Sequence, residues 1–74
     1  MQRYFFHLRG KLSAHDVHGH KCADDAEARD HGDFIAHRIA DEKPGLIHDG
    51  SFISVCDERG REIVQFPLTS IMAH

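Results

Sequence analysis

Hydrophobic and polar positions near the start of the chain predict a short β-hairpin. Residues 3–9 read Arg-Tyr-Phe-Phe-His-Leu-Arg, and aromatic enrichment with alternating side chains is typical of a strand. Gly10 and Lys11 can turn the chain. We therefore expect a shorter second strand at residues 12–15.

The one long helical pattern lies at residues 23–42. Small and apolar residues recur there at helical spacing and form one stripe, namely Ala28, Gly32, Ile35, Ala36 and Ile39. Asp24 or Asp25 can cap the start of the helix, and Pro44 with Gly45 ends it. We expect this stripe to face a sheet, with Gly32 allowing close contact.

A second hairpin is predicted by two runs rich in Ile, Val and Phe, at residues 51–56 and 61–67. Asp57 and Gly60 lie between the runs with the Asp-x-x-Gly spacing of a type I turn. The predicted order is β-β-α-β-β. It indicates a single α+β domain over residues 1–74, in which one long helix packs on one face of a small antiparallel sheet of two hairpins.

The second hairpin also predicts what each face of the sheet carries. With a bulge at Gly60, the turn puts Val55 and Ile63 on one side together with Ile53. The helix stripe should meet these residues. Four apolar residues would then lie on the other side: Phe5, Phe52, Val64 and Phe66.

One helix covers only one face of a four-stranded sheet, so these four residues would remain uncovered. We therefore expect a homo-oligomer, most simply a two-fold homodimer, with this set as its interface. The alternative is that residues 44–50 or the C-terminal tail, with Leu68 and Ile71, folds over the rings and leaves a monomer.

Composition and charge narrow the classes of function. Hydrophobic residues make up 41% and charged residues 28% of the chain, which is typical of a folded domain. The net charge of −3 and the scattered basic residues argue against a general nucleic-acid binder. Because aromatic side chains on strands can stack bases, a single-stranded nucleic-acid binder remains a lesser alternative.

The sequence predicts neither a membrane span nor an export signal. No segment approaches ~20 consecutive apolar residues, and the charged opening is unlike the core of a signal peptide. We therefore expect a cytoplasmic protein in which Cys22 and Cys56 are free thiols.

Eight histidines are a clear excess for a chain of this length. His15, His18, His20 and Cys22 lie close together, and the last three could share one side of an extended segment. Zinc accepts such nitrogen and sulfur ligands, so a zinc-binding domain is one alternative. The other is that these side chains are exposed in a hairpin loop and that the chain uses no cofactor.

No pattern of catalytic residues is recognisable. Helix capping explains Asp24 and Asp25, the turn explains Asp57, and Cys56 is typical of a small buried thiol. We therefore expect that the chain is not an enzyme. The leading interpretation is a small interaction or accessory domain that self-associates or binds a protein partner.

Several short motifs resemble a known family. They are the opening Met-x-Arg-Tyr-Phe-Phe-His-Leu, then Asp16-x-x-Gly19, Ala28-Arg29, Asp57-Glu58-x-Gly60-Arg61 and Phe66-Pro67-Leu68. Together they are similar to a family of short proteins of unknown function that is common in alphaproteobacteria. The resemblance covers nearly the whole chain. It implies the same order of elements and a bacterial cytoplasmic setting, and it supplies no activity, substrate or catalytic residue.

Overall fold

The computed structural model of the chain describes residues 1–68. Its elements are β1 (Gln2–Arg9), β2 (His20–Cys22), α1 (Asp25–Glu42), α2 (Gly45–His48), β3 (Phe52–Cys56) and β4 (Glu62–Pro67). The strands form one antiparallel sheet in the order β2-β1-β3-β4. This arrangement confirms the predicted α+β fold. Neither helix in this part of the chain is long and apolar enough to cross a membrane.

The second strand lies later in the chain than predicted. Residues 12–15 contribute only an isolated bridge between Leu8 and Ala14, whereas β2 pairs with the start of β1. The reason is Asp16, whose Oδ2 accepts the backbone N–H of Phe6 at 3.1 Å. The Asp16 side chain thus accepts a backbone N–H of β1 that would otherwise pair with a neighbouring strand. Pairing resumes after Gly19, which turns the chain with a φ of +71°.

The start of α1 is fixed by reciprocal capping. Oδ1 of Asp24 accepts the backbone N–H of Glu27 at 2.9 Å, and Oε1 of Glu27 accepts the backbone N–H of Ala23 at 3.0 Å. The first bond satisfies a donor that the first turn of a helix leaves free, and the second fixes the residue that precedes the N-cap. The hydroxyl of Tyr4, a fully buried residue, donates to Oδ1 of Asp25 at 2.6 Å. This contact ties the capped end of the helix to β1.

Small residues form the centre of the contact between α1 and the sheet. The buried residues of the helix are spaced four apart: Ala28, Gly32, Ala36 and Ala40. Ile35 and Ile39, which the sequence places within the same stripe, pack against the core from its sides and stay partly exposed. A Cβ atom added to Gly32 would lie 2.7 Å from Cγ2 of Val55. The helix backbone therefore approaches β3 as closely as a glycine permits.

The register between β3 and β4 contains a bulge. Val55 pairs with Val64, but the next residue, Cys56, pairs with Glu62. Ile63 is therefore the extra residue on β4, and every side chain beyond it changes face relative to a regular ladder.

This bulge corrects the predicted faces of the second hairpin. Val64 and Phe66 are cross-strand partners of Val55 and Ile53, so they lie on the face that α1 covers. Their predicted placement on the uncovered side is wrong. The predicted irregularity at the turn is present, since Gly60 has a φ of +83° and Asp57 pairs with Arg61. The second bulge, at Ile63, was not predicted, and it reverses the parity of the rest of β4.

We expect Gly32→Ala to destabilise the protein by roughly 1–3 kcal/mol, although alanine is the better helix former by ~1 kcal/mol. The added Cβ would clash with Val55, which is fully buried, and the neighbouring strands hold that side chain in place. Urea unfolding followed by far-UV circular dichroism measures the change.

Gly45→Ala is the matched control because a Cβ at that position meets no atom within 4 Å. It should leave the unfolding midpoint unchanged or raise it slightly. Equal midpoints for Gly32→Ala and the parent chain would contradict the close approach of helix and sheet.

Candidate functional site

The face of the sheet opposite α1 carries a distinctive set of side chains, and we refer to it as the open face. Strand alternation and cross-strand pairing assign its members, which are Arg3, Phe5, His7, Arg9, Lys21, Phe52, Ser54, Cys56, Glu62, Gln65 and Pro67. The helix packs on the other side, against Val55 and its neighbours.

Flat aromatic side chains lie along the two central strands of the open face. Phe5 on β1 and Phe52 on β3 are both half-buried. The rings of Phe5 and His7 are parallel within 7°, with centroids 6.3 Å apart. His15 from the β1–β2 loop meets His7 edge-on at 4.9 Å. The result is a row of partly exposed rings held on a rigid sheet.

His7 is fixed as a neutral ring. Its Nδ1 accepts the backbone N–H of Asp16 at 3.1 Å, so the ring proton lies on Nε2. Burial lowers the pKa of His7, and the nearby charges of Arg9 and His15 lower it further, while Asp16 acts in the opposite direction. The imidazole therefore contributes a flat surface to the open face and no charge at neutral pH.

Asp16 organises the loop that supports His7. Besides the N–H of Phe6, its carboxylate accepts the backbone N–H groups of His18 at 3.2 Å and Gly19 at 2.9 Å. Burial raises the pKa of this carboxyl, but the three N–H donors more than offset that effect and hold the pKa below its ordinary value. Asp16 thus stays ionised and keeps the β1–β2 loop in place.

Charge on the molecule is segregated by face. The strands contribute three cationic side chains to the open face, Arg3, Arg9 and Lys21, and one carboxylate, Glu62. Arg9 is the direct cross-strand partner of Phe52. In contrast, α1 carries six acidic residues and two arginines on the other side of the sheet. The overall charge of −3 therefore conceals a cationic face.

The nucleophilic side chains of the open face are inaccessible. Ser54 is 1% and Cys56 is 6% exposed. The hydroxyl of Ser54 donates to Oε2 of Glu62, and Sγ of Cys56 lies 3.6 Å from that hydroxyl. The first of these contacts connects β3 to β4 beside the bulge, and the second lies within β3. A substrate cannot reach either nucleophile in this conformation.

A polar depression at the β3–β4 turn is a second candidate, lined by Gln2, Asp57, Glu58, Arg59 and Arg61. Oδ1 of Asp57 accepts the backbone N–H groups of Arg59 and Arg61, each at 2.9 Å. The N–H of Arg61, followed by that of Arg59, holds the pKa of Asp57 below its ordinary value against the effect of burial. The carboxylate is thus committed to closing the turn.

The structure does not bring the predicted metal ligands together. His15 contacts His7, whereas His20 stacks on His31 of α1 with centroids 4.2 Å apart. Cys22 is fully buried. The carbonyl of His18 accepts from the Arg3 guanidinium. Among residues 1–68, no group of three or more His, Cys, Asp or Glu side chains is arranged to hold a metal ion.

The predicted interface residues are divided between the two faces. Phe5 and Phe52 lie on the open face, and Val64 and Phe66 lie beneath α1. The cations beside the rings were not among the predicted site residues. Alternation along residues 3–9 was a sufficient signal for Arg3 and Arg9. The placement of Lys21 requires the register of β2, which local pattern does not give.

Comparison with known protein families matches residues 3–69 to a family described as a domain of unknown function, DUF6894. No curated protein and no solved structure matches the chain. The matched range begins within β1 and extends past the end of β4, so it includes all the strands that form the open face.

Acidification should destabilise the protein in part through His7. Its folded-state pKa lies below the ordinary value of about 6.5, so the unfolded chain takes up a proton there before the folded chain does. The contribution of His7 to the free energy of unfolding is therefore complete above pH ~6.5, and it is lost as the pH falls through the folded-state pKa. Asparagine keeps an acceptor near the position of Nδ1 and does not titrate, so His7→Asn should flatten the decline in melting temperature.

The control for this titration is His48→Asn, at an exposed position at the end of α2. It should leave the slope of melting temperature against pH unchanged. The role of His7 would be refuted by equal slopes for the parent chain and His7→Asn.

Exhaustive chelation should leave the fold intact, because the core is formed by apolar residues from every main element and zinc-dependent domains instead unfold without metal. Far-UV circular dichroism and the melting temperature, measured with and without chelator, test this expectation. Loss of structure on chelation, reproduced by His18→Ala or His20→Ala, would restore the zinc alternative.

Proposed function

The chain belongs to the DUF6894 family of domains of unknown function, and from that premise we propose that it is a non-enzymatic interaction domain. We infer that its binding surface is the open face and that its partner is anionic. The observation that carries this proposal is that Phe5 and Phe52 on the central strands share one face with Arg3 and Arg9.

The open face has the properties of a preformed binding surface. Its two phenylalanines are half-buried, so they lose little conformational freedom when a partner covers them. Aromatic and arginine side chains are the residue types most enriched where binding energy concentrates. Binding here would therefore cost little reorganisation of the domain.

The charge distribution favours an anionic partner. Three cations on the open face attract negative charge over roughly 8–10 Å at physiological ionic strength. The acidic residues of α1 lie behind the sheet and repel the same partner from the opposite side. The two effects together orient an approaching anion toward the open face.

Self-association, predicted from the sequence, is less favoured by the same charges. Two open faces in contact would bring the cations of one copy against those of the other. Glu62 is the one carboxylate that the strands supply in compensation, and it already accepts hydrogen bonds from Ser54 and Gln65. Val64 and Phe66 lie on the α1 side and are partly buried against the core, so less apolar surface is left on the open face for a second copy.

The burial of Ser54 and Cys56 supports a non-enzymatic role. Covalent catalysis needs a nucleophile that a substrate can reach. The accessible groups of the open face are rings, cations, Glu62 and Gln65, and the carboxylate of Glu62 already accepts hydrogen bonds from Ser54 and Gln65.

Calorimetric titration of the chain with polyglutamate and with heparin, at ~50 mM salt, tests the proposal. We expect at least one of the two polyanions to bind and polylysine not to bind. Arg9→Gln should weaken binding roughly two- to five-fold, the loss typical of one exposed ion pair. Arg38→Gln is the matched control because it removes an arginine from α1.

The proposal is overturned if neither polyanion binds, or if Arg38→Gln weakens binding as much as Arg9→Gln does. Light scattering on the same samples gives the oligomeric mass. A stable dimer that Arg9→Gln or Phe52→Ala dissociates would assign the open face to a second copy instead.

A further inference from the structure

We propose that the partner of the open face is a single-stranded nucleic acid, with bases stacked on Phe5 and Phe52 and the backbone held by cations along β1. This inference rests on the proposed function of the open face and names the chemical class of its partner. It uses three features of the face, which are the spacing of its two phenylalanines, the His7 ring between them and the positions of its cations.

Phe5 and Phe52 are far enough apart for each ring to stack with a different base. Phe5 is level with Cys56, and Phe52 is level with Arg9, four residues further along β1. At ~3.3 Å per residue and ~4.8 Å between strands, the backbone positions of the two phenylalanines are about 14 Å apart. Two bases of an extended strand can each stack on one ring without contacting each other. Single-stranded bases bind protein in this way because every base presents a π-face.

His7 adds a third flat surface between these platforms. It lies level with Ser54, midway between the levels of Phe5 and Phe52. Its ring is parallel to that of Phe5, with a centroid distance of 6.3 Å, roughly twice the 3.4 Å rise between stacked bases. The two rings are thus not in face-to-face contact with each other, and His15 meets the His7 ring edge-on at 4.9 Å.

Cations flank the row of rings at both ends of β1. Arg9 lies beside Phe52 at one end. Arg3 and Lys21 are cross-strand partners at the other end. The six residue-to-residue steps from Arg3 to Arg9 span about 20 Å. A phosphate backbone running along β1 would meet a cation at each end, while its bases reach the rings between them.

The same geometry disfavours a duplex. A double helix hides its base faces within the stack, so the phenylalanines would have no partner. An acidic peptide could pair with the cations, but it offers no flat rings that require the spacing of Phe5 and Phe52. The cations alone would suit either an acidic peptide or a nucleic acid, whereas the cations and the rings together favour a nucleic acid with unpaired bases.

Fluorescence anisotropy with labelled oligo(U) and oligo(dT), about 12 nucleotides long, tests the proposal on the full chain. We expect binding at ~50 mM salt, with log K falling against log salt at a slope of about −2, since three cations each release ~0.7 counterion from a single strand. A duplex of the same length should compete poorly.

Phe5→Ala and Phe52→Ala should each weaken binding roughly five-fold or more, the range measured when one stacking ring is removed. Phe34→Ala is the matched control because Phe34 lies on α1 and is 59% exposed. It should leave the affinity unchanged. Far-UV circular dichroism verifies that each variant is folded, and Arg9→Gln tests the face without removing a ring.

The outcomes separate this inference from the proposed function. Binding of polyglutamate or heparin without binding of either oligonucleotide overturns the nucleic-acid assignment and leaves an anion-binding face. Failure of all the anions overturns both. Equal affinity for duplex and single strand, or an equal loss with Phe34→Ala, also overturns the assignment, because neither result requires stacking on the open face.

Discussion

The close approach of Gly32 to β3 is the constraint on which the rest of the structure depends. A Cβ at this position would overlap the side chain of Val55 and also press on the ring of Phe66, at 3.1 Å. Because small residues form the centre of the contact, α1 lies close to the sheet and covers one face. In a chain of 74 residues, the described part provides no second long helix for the other face. The open face therefore follows from the way the covered face is packed.

Local patterns were sufficient to predict the helix, its small-residue stripe and the order of the main elements. They failed where a single contact changes the register. Asp16 displaced the second strand by occupying a position along β1, and the extra residue Ile63 exchanged the faces of β4. For the second strand and for β4, the predicted and the observed pairings fit the local sequence equally well. The choice between them depends on which side chains the helix buries, and alternation along one strand does not contain that information.

The candidate site illustrates the same limit for charge. A net charge of −3 is a property of the whole chain, whereas a partner meets one face at a time. The fold places the acidic residues of α1 on one side of the sheet and Arg3, Arg9 and Lys21 on the other. A negative net charge therefore does not exclude a polyanionic partner, because the cations and the acidic residues lie on different faces. Segregation of this kind can be read only after the strand register is known.

The position of His7 explains how one face can combine charge with stacking. Rings contribute most where water is excluded, but an ion in such a place loses its hydration. The N–H of Asp16 occupies Nδ1 of His7, and burial with the nearby Arg9 lowers its pKa, so the centre of the row stays uncharged at neutral pH. The fixed cations lie toward the ends of β1, where their long side chains can remain hydrated. Protonation of His7 would place a charge among the rings and break its bond to the loop, so the neutral imidazole preserves both the stacking surface and the loop that supports it.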